Sequence, residues 1–251
     1  MKLNRQKEML SYIREKKTAN NEELMHKFNI SIQTLRRDLN ILEEQGVVSK
    51  VYGGVVFNDS RESISSVSSV SERQSSNNEG KEYVGKLAAG MVQDGDVIFI
   101  DSGTTAYRML HYMQYLKNVT VISHSIDVLQ ALRGVTNITG IGVGGVLDHN
   151  TGSFLMDTSL YNYNCNKAFI STVGISVSRG LTNTVLNEGA IKAAVMSHSA
   201  VRYIVADHSK FDVIAYNRFA DFSKIDAIIT DKCPEEKFIN YFENNHIKLI
   251  Y

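Results

Sequence analysis

Between Ser31 and Gly46 the stretch SIQTLRRDLNILEEQG places Ile32, Leu35, Leu39 and Leu42 at helical spacing. At about 100° per residue these four fall in one stripe, with Arg37 nearly opposite and Gln33 and Thr34 beside it. The pattern predicts an amphipathic helix with the stripe in a core, Ser31 as its N-cap and Gly46 as its C-cap. Ile41 falls on the polar side, and the pattern does not account for it. Upstream, Asn21 before Glu22 and Glu23 reads as the cap of a shorter helix carrying Leu24, Met25 and Phe28, which ends at Asn29 and Ile30 in a tight turn. Downstream, VVSKVYGGVVF forms two β-rich runs around Gly53-Gly54 and predicts a hairpin.

The pattern changes from Gly80 onward. VIFID, VTVIS, ITGIGV, KAFIST, YIVAD, DAIIT and IKLIY are short, apolar and rich in Val and Ile, and helical stretches alternate with them. Apolar runs of that length predict strands buried on both faces, hence a mostly parallel sheet covered by helices, a doubly wound α/β domain. Ligands in such sheets collect at the carboxyl ends of the strands. Between the two patterned regions, Asn58 to Gly80 is dominated by serine and keeps no period, which predicts a linker; its Ser-Val-Ser alternation leaves open a strand that docks on a partner. The expected organisation is a winged helix-turn-helix over residues 1–57, a linker over 58–78 and an α/β domain over 79–251.

Composition changes this picture little. The 251 residues are 43% hydrophobic and 22% charged, the balance of a soluble globular protein. Cys165 and Cys233 lie far apart without CxxC spacing, and His111, His198 and His246 lack ligand spacing, so neither a disulfide framework nor a metal is expected, and no cofactor. No secretory leader and no bilayer-spanning apolar run is visible, which places the chain in the cytoplasm, off the membrane. Charge is uneven: residues 1–57 hold 10 Lys+Arg against 7 Asp+Glu, and the remainder 17 against 20. A small basic front end fits nucleic acid, and it also fits a solvated helix face.

Position narrows the choice. Two short helices and a tight turn, the second helix polar at its N-terminal end, form the arrangement that enters a DNA major groove. There Gln33 reads adenine or an arginine reads guanine, while Ser31, Thr34 and Lys50 grip phosphate. In the second region, VIFID runs from Asp101 into Ser102-Gly103-Thr104-Thr105 and a helical stretch, which reads as an anion site for phosphate or as a plain helix cap. Ser123 and His124 follow VTVI; Gly144 and Gly145 follow ITGIGV; Asp207 and Lys210 follow YIVA; Glu188 and Lys192 open another helix. Together these strand ends suggest one cleft.

Arg5, EELMHKF, TLRRDLNILEEQG and the following YGG resemble the N-terminal domain of DeoR-type bacterial transcriptional regulators. The order of DSGTT, GG, KAFISTVGI, GLTN, the Glu188 region and DHSKF resembles the sensor domain of the same family, similar in fold to ribose-5-phosphate isomerase and glucosamine-6-phosphate deaminase. The resemblance covers nearly the whole chain except the linker. It implies that Arg36, Arg37 and Tyr52 help bind double-stranded operator DNA. It also implies a phosphorylated sugar as effector, its phosphate on Ser102 to Thr105 and its hydroxyls near Ser123, Glu188, Asp207 and Lys210. Two positions depart from the family pattern, Asn166 for an aspartate and His124 for an asparagine. An amide takes up no proton, so Asn166 argues against retained isomerase chemistry. The expected function is therefore a repressor of carbohydrate-metabolism genes acting as a homodimer or homotetramer; the rival is an isomerase-like enzyme with an accessory DNA-binding domain.

Overall fold

The computed structural model describes residues 2–16, 18–44, 47–51, 54–57, 76–155 and 162–251. It divides into two compact units, Met1–Ser63 and Ile64–Tyr251. Tyr52, the turn glycine Gly53, the capping Gly46 and most of the expected linker lie outside the described residues.

In the first unit, helices α1 (Lys2–Lys16), α2 (Asn21–Phe28) and α3 (Ile32–Glu44) pack on a small sheet. Its strands are β1 (Thr18–Asn20), β2 (Val48–Val51) and β3 (Gly54–Phe57), in the order β1-β3-β2 and antiparallel throughout. The expected hairpin is β2 with β3, and β1 adds an edge that the sequence pattern did not announce. Leu35, Leu39 and Leu42 are buried with Met9, Ile13, Leu24, Val48 and Val55, so the apolar stripe is the core face of α3. The Ser31 hydroxyl accepts the Thr34 N–H at 3.3 Å, as a cap should. For α2 the cap is one residue earlier than expected: Asn20, not Asn21, accepts the Glu23 N–H at 2.7 Å. Asn29 closes α2 in the left-handed region at φ 48°, and Ile30 N–H reaches back to Met25 O at 3.1 Å.

The second unit is built on a seven-stranded, wholly parallel sheet. Its strands are β4 (Val97–Ile100), β5 (Val119–Ser123), β6 (Ile138–Gly142), β9 (Cys165–Ser171), β12 (Ser199–Val205), β14 (Ala227–Ile229) and β15 (Lys248–Ile250). Their order is β15-β14-β12-β9-β4-β5-β6, and they are the seven runs expected from the sequence. Alternate residues feed two cores. Phe99, Ala168, Ile170, Ile204 and Ile228 enter one face, with α7 (Leu186–Ser197) and α8 (Glu236–Asn244) over it. Ile98, Ile100, Phe169, Val205 and Ile229 enter the other, under α4 (Asn78–Ala89), the short α5 (Thr104–Tyr107) with its 3-10 continuation Arg108–Tyr112, and α6 (Ile126–Ala131). Two features escaped the pattern: the hairpin β7 (Val146–Asp148) with β8 (Ser153–Leu155), and an antiparallel sheet of β10 (Gly174–Ser176), β11 (Gly180–Asn183) and β13 (Asn217–Ala220). Because α4 begins at Asn78, the last residues of the expected linker are helical.

The chain leaves β4 toward β5 on one side and β9 toward β12 on the other, so β4 and β9 flank the topological switch point. Asp101 N–H continues the ladder to Phe169 O at 3.1 Å, which brings the carboxyl end of β9 beside Ser102 and Gly103. A side chain at position 103 would not fit there, since its Cβ would stand 2.2 Å from the Ser171 side chain. Among the described residues no helix is long and apolar enough to cross a membrane.

Candidate functional site

The front of α3 carries the candidate nucleic-acid interface. Ser31, Gln33, Arg36 and Arg37 are exposed, and Thr34 is half-buried with its hydroxyl 3.1 Å from that of Ser31. Neither arginine has an ionic partner among the described residues. Lys50 on β2 is engaged: its ammonium lies 2.7 Å from Glu43 and donates to Asn40 Oδ1 at 2.7 Å, so its charge is partly neutralised beside α3. What aims α3 is a buried carboxylate that pattern reading passed over. Asp38 is fully buried and accepts from Arg5 Nε and Gln6 Nε2 of α1, each at 2.8 Å. Removing the guanidinium leaves a buried charge with one amide donor, so Arg5→Ala should cost this unit about 3 kcal/mol in thermal or urea denaturation. A cost below about 1 kcal/mol would mean that the contact does not fix the helices.

In the second unit a cavity of about 260 Å³ opens at the switch point. Ser102, Gly103, Thr104 and Thr105 from the turn after β4 line it, with Ser171 and Thr172 from the end of β9. Glu188 and Lys192 reach it from α7, Asn183 and Thr184 from the chain leading there, Lys210 from the turn after β12, and Ser76 and Lys81 from the start of α4. Lys192 is anchored from behind: its ammonium donates to Asp101 Oδ2 at 2.6 Å and to Ser171 O at 2.8 Å. Burial pushes the Asp101 carboxyl up, but the Lys192 charge and the hydrogen bonds from Lys192 and Ser171 N–H outweigh it and hold the pKa below the ordinary value. Glu188 accepts from Asn183 Nδ2 at 3.0 Å and, loosely, from the Ser102 and Ser153 hydroxyls at 3.4 Å each. Ser171 Oγ is buried at the wall with no hydrogen-bond partner among the described residues. Beside the Lys192–Asp101 pair, Lys81 and Lys210 add positive charge to the wall against Glu188. The arrangement suits a small anion that also carries hydroxyls.

A model of the DeoR C terminal sensor domain matches residues 76–232, and one of the DeoR-like helix-turn-helix domain matches residues 5–61. The chain belongs to the DeoR family. The HTH-type transcriptional regulator IolR of Bacillus subtilis (strain 168) is 36% identical, covering 98% of each chain. The glycerol-3-phosphate regulon repressor of Escherichia coli (strain K12) is 26% identical over 96% of this chain and 95% of its own. Ribose 5-phosphate isomerase A of Methanocaldococcus jannaschii superposes with a TM-score of 0.41 at 20% identity, over 54% of this chain and 55% of its own. As a member of this family the chain is a DNA-binding transcriptional regulator, as its relatives are named, rather than the isomerase-like enzyme of the rival reading.

Against the sensor domain's geometry, seven sequence-expected residues line the cavity, Ser102 to Thr105, Glu188, Lys192 and Lys210, and Asp101 supports it from behind. Others do not reach it. Ser123 is fully buried and its hydroxyl donates to Ile100 O at 2.8 Å, tying β5 to β4. His124 lies beneath the site, stacked on Phe99 with ring centroids 5.7 Å apart; burial holds it below the ordinary imidazole pKa against the pull of Asp101 and Glu188. Gly144 and Gly145 are exposed beyond the edge strand β6, two strands away from β4. Asn166 sits at the amino end of β9, where its Oδ1 accepts the Val97 N–H at 2.8 Å. Five residues of strand put it about 16 Å from Ser171. Asp207 is buried and acts through its turn, accepting from Ser209 N–H at 3.0 Å and so shaping the approach to Lys210.

Sequence reading missed Ser76, Lys81, Ser171, Thr172, Asn183 and Thr184. Ser171 and Thr172 end an expected strand, but only the β4–β9 pairing makes that end part of the site.

Proposed function

We propose that this regulator represses genes of carbohydrate metabolism and that a phosphorylated sugar or polyol in the switch-point cavity changes its hold on operator DNA. One observation carries the reading: three lysines, Lys81, Lys192 and Lys210, converge with a row of hydroxyls and a single carboxylate on one small cavity. The lysines suit a phosphate, and Glu188 with Asn183 suits sugar hydroxyls. At about 260 Å³ the space lies below the roughly 300–1,000 Å³ of pockets for drug-sized ligands, which fits a small metabolite. The name of the E. coli relative, a glycerol-3-phosphate regulon repressor, points to the same ligand class. Operator binding uses Ser31, Gln33, Arg36 and Arg37, with Thr34, Lys50 and Tyr52 as further contacts. The protein works in the cytoplasm as a dimer or tetramer, because paired half-sites need paired recognition helices.

The test is a thermal-shift screen of the full chain against phosphorylated hexoses, pentoses, tagatose-type ketoses and glycerol 3-phosphate, with the unphosphorylated sugars as controls. A true effector at about a hundred times its dissociation constant adds roughly 2.7 kcal/mol of stability. Stabilisation by no phosphate ester, or equal stabilisation by the free sugar, would overturn the reading.

A further inference from the structure

We propose that Lys81 is a contested residue: its ammonium fastens the segment just before α4 at Ser76, and the same ammonium is a cation for the effector's phosphate, so effector binding and fastening compete. This rests on the cavity being a phosphate-ester site.

Lys81 lies one turn into α4 with its side chain 1% exposed. Its Nζ donates to Ser76 O at 2.6 Å and to Ser76 Oγ at 3.2 Å, and both residues line the cavity. An ammonium has three donors, and two are directed at Ser76. A phosphate that takes two hydrogen bonds from the ammonium withdraws at least one of them. Against Ser76 the exchange favours the phosphate, because the ammonium meets an opposite charge there and only neutral oxygens at Ser76.

The next residue repeats the tie. Asn77 stands in the left-handed region at φ 46°, and its Nδ2 donates to Asp207 Oδ1 at 2.9 Å. Gly80 leaves room for that side chain; a Cβ there would lie 2.7 Å from Asn77 Nδ2 and 2.6 Å from Asp231 Oδ2. Ser76 and Asn77 are therefore fastened to the two elements that bring Lys81 and Lys210 to the cavity. An anion that draws both lysines inward pulls on both ties at once. The fastened segment continues, in sequence, toward the helix-turn-helix domain, which gives occupancy a route to operator affinity.

Hydrogen exchange by mass spectrometry on the full chain, with and without saturating inorganic phosphate and then glycerol 3-phosphate, tests the competition. Faster exchange over residues 76–81 together with slower exchange over residues 103–107 is expected. Ser76→Ala, which removes one competing acceptor, should raise affinity for the same probes about two- to fivefold in calorimetry. Lys81→Met should lower it at least tenfold and abolish the change at residues 76–81. If a probe binds and protects residues 103–107 while 76–81 is unchanged or slowed, or if Ser76→Ala leaves affinity unchanged, the competition is refuted and the cavity reading stands. If neither probe binds, both fall.

Discussion

Lys192→Met should destabilise the sensor unit by about 3–5 kcal/mol, because it strands the Asp101 carboxylate in a site where both side chains are almost wholly buried. Methionine keeps the length of the side chain and loses only the charge and the donors. What remains for Asp101 is the single Ser171 N–H at 3.0 Å, and Oδ1 has no partner among the described residues. Adding Asp101→Asn removes the stranded charge and should recover most of the loss. The double variant is thus more stable than the single one in urea denaturation, a large favourable coupling between neighbours in contact. A double variant no better than Lys192→Met would show that the pair does not hold the switch point together.

The second large effect concerns DNA. Arg37 is exposed on the face of α3 opposite the core stripe, free of ionic partners among the described residues, as a phosphate-gripping arginine must be. Arg37→Ala should weaken binding by about fivefold at physiological salt and reduce the slope of log affinity against log salt by about 0.9, for one lost phosphate contact. The loss should be uniform across sequences, whereas Gln33→Ala should lose discrimination at one base position. Fluorescence anisotropy on duplexes selected by the protein from a random library, repeated over a salt series, measures both. An unchanged salt slope would remove Arg37 from the interface.

The parallel sheet was legible because each of its strands is buried on both faces, and such strands read as unbroken apolar runs. β10, β11 and β13 are three or four residues long and carry no comparable run, so they left no signal. Residues at a glycine-containing strand end or a helix start, such as Gly103 and Glu188, could be marked without knowing the sheet order. Ser171 could not, since it reaches Asp101 only through a pairing between strands about 70 residues apart. Asn166 was misplaced for the mirror reason: it opens its strand, and the site lies where the strand ends. Lys81 resembled any helix-surface lysine until Ser76 and the cavity wall covered it. Asp38 did leave a trace, standing about 60° from Leu35 on the helix, at the edge of the apolar stripe.

Effector control requires that one chain join a grip on DNA to the capture of a small phosphate ester. The most direct test is the dissociation constant of the full chain for selected operator DNA, measured with and without the phosphate ester that stabilises it most. Thermodynamic linkage predicts a change of about 5–150-fold, with the same factor appearing when affinity for that ester is measured with operator bound. An ester that binds the cavity tightly and leaves operator affinity unchanged would contradict it.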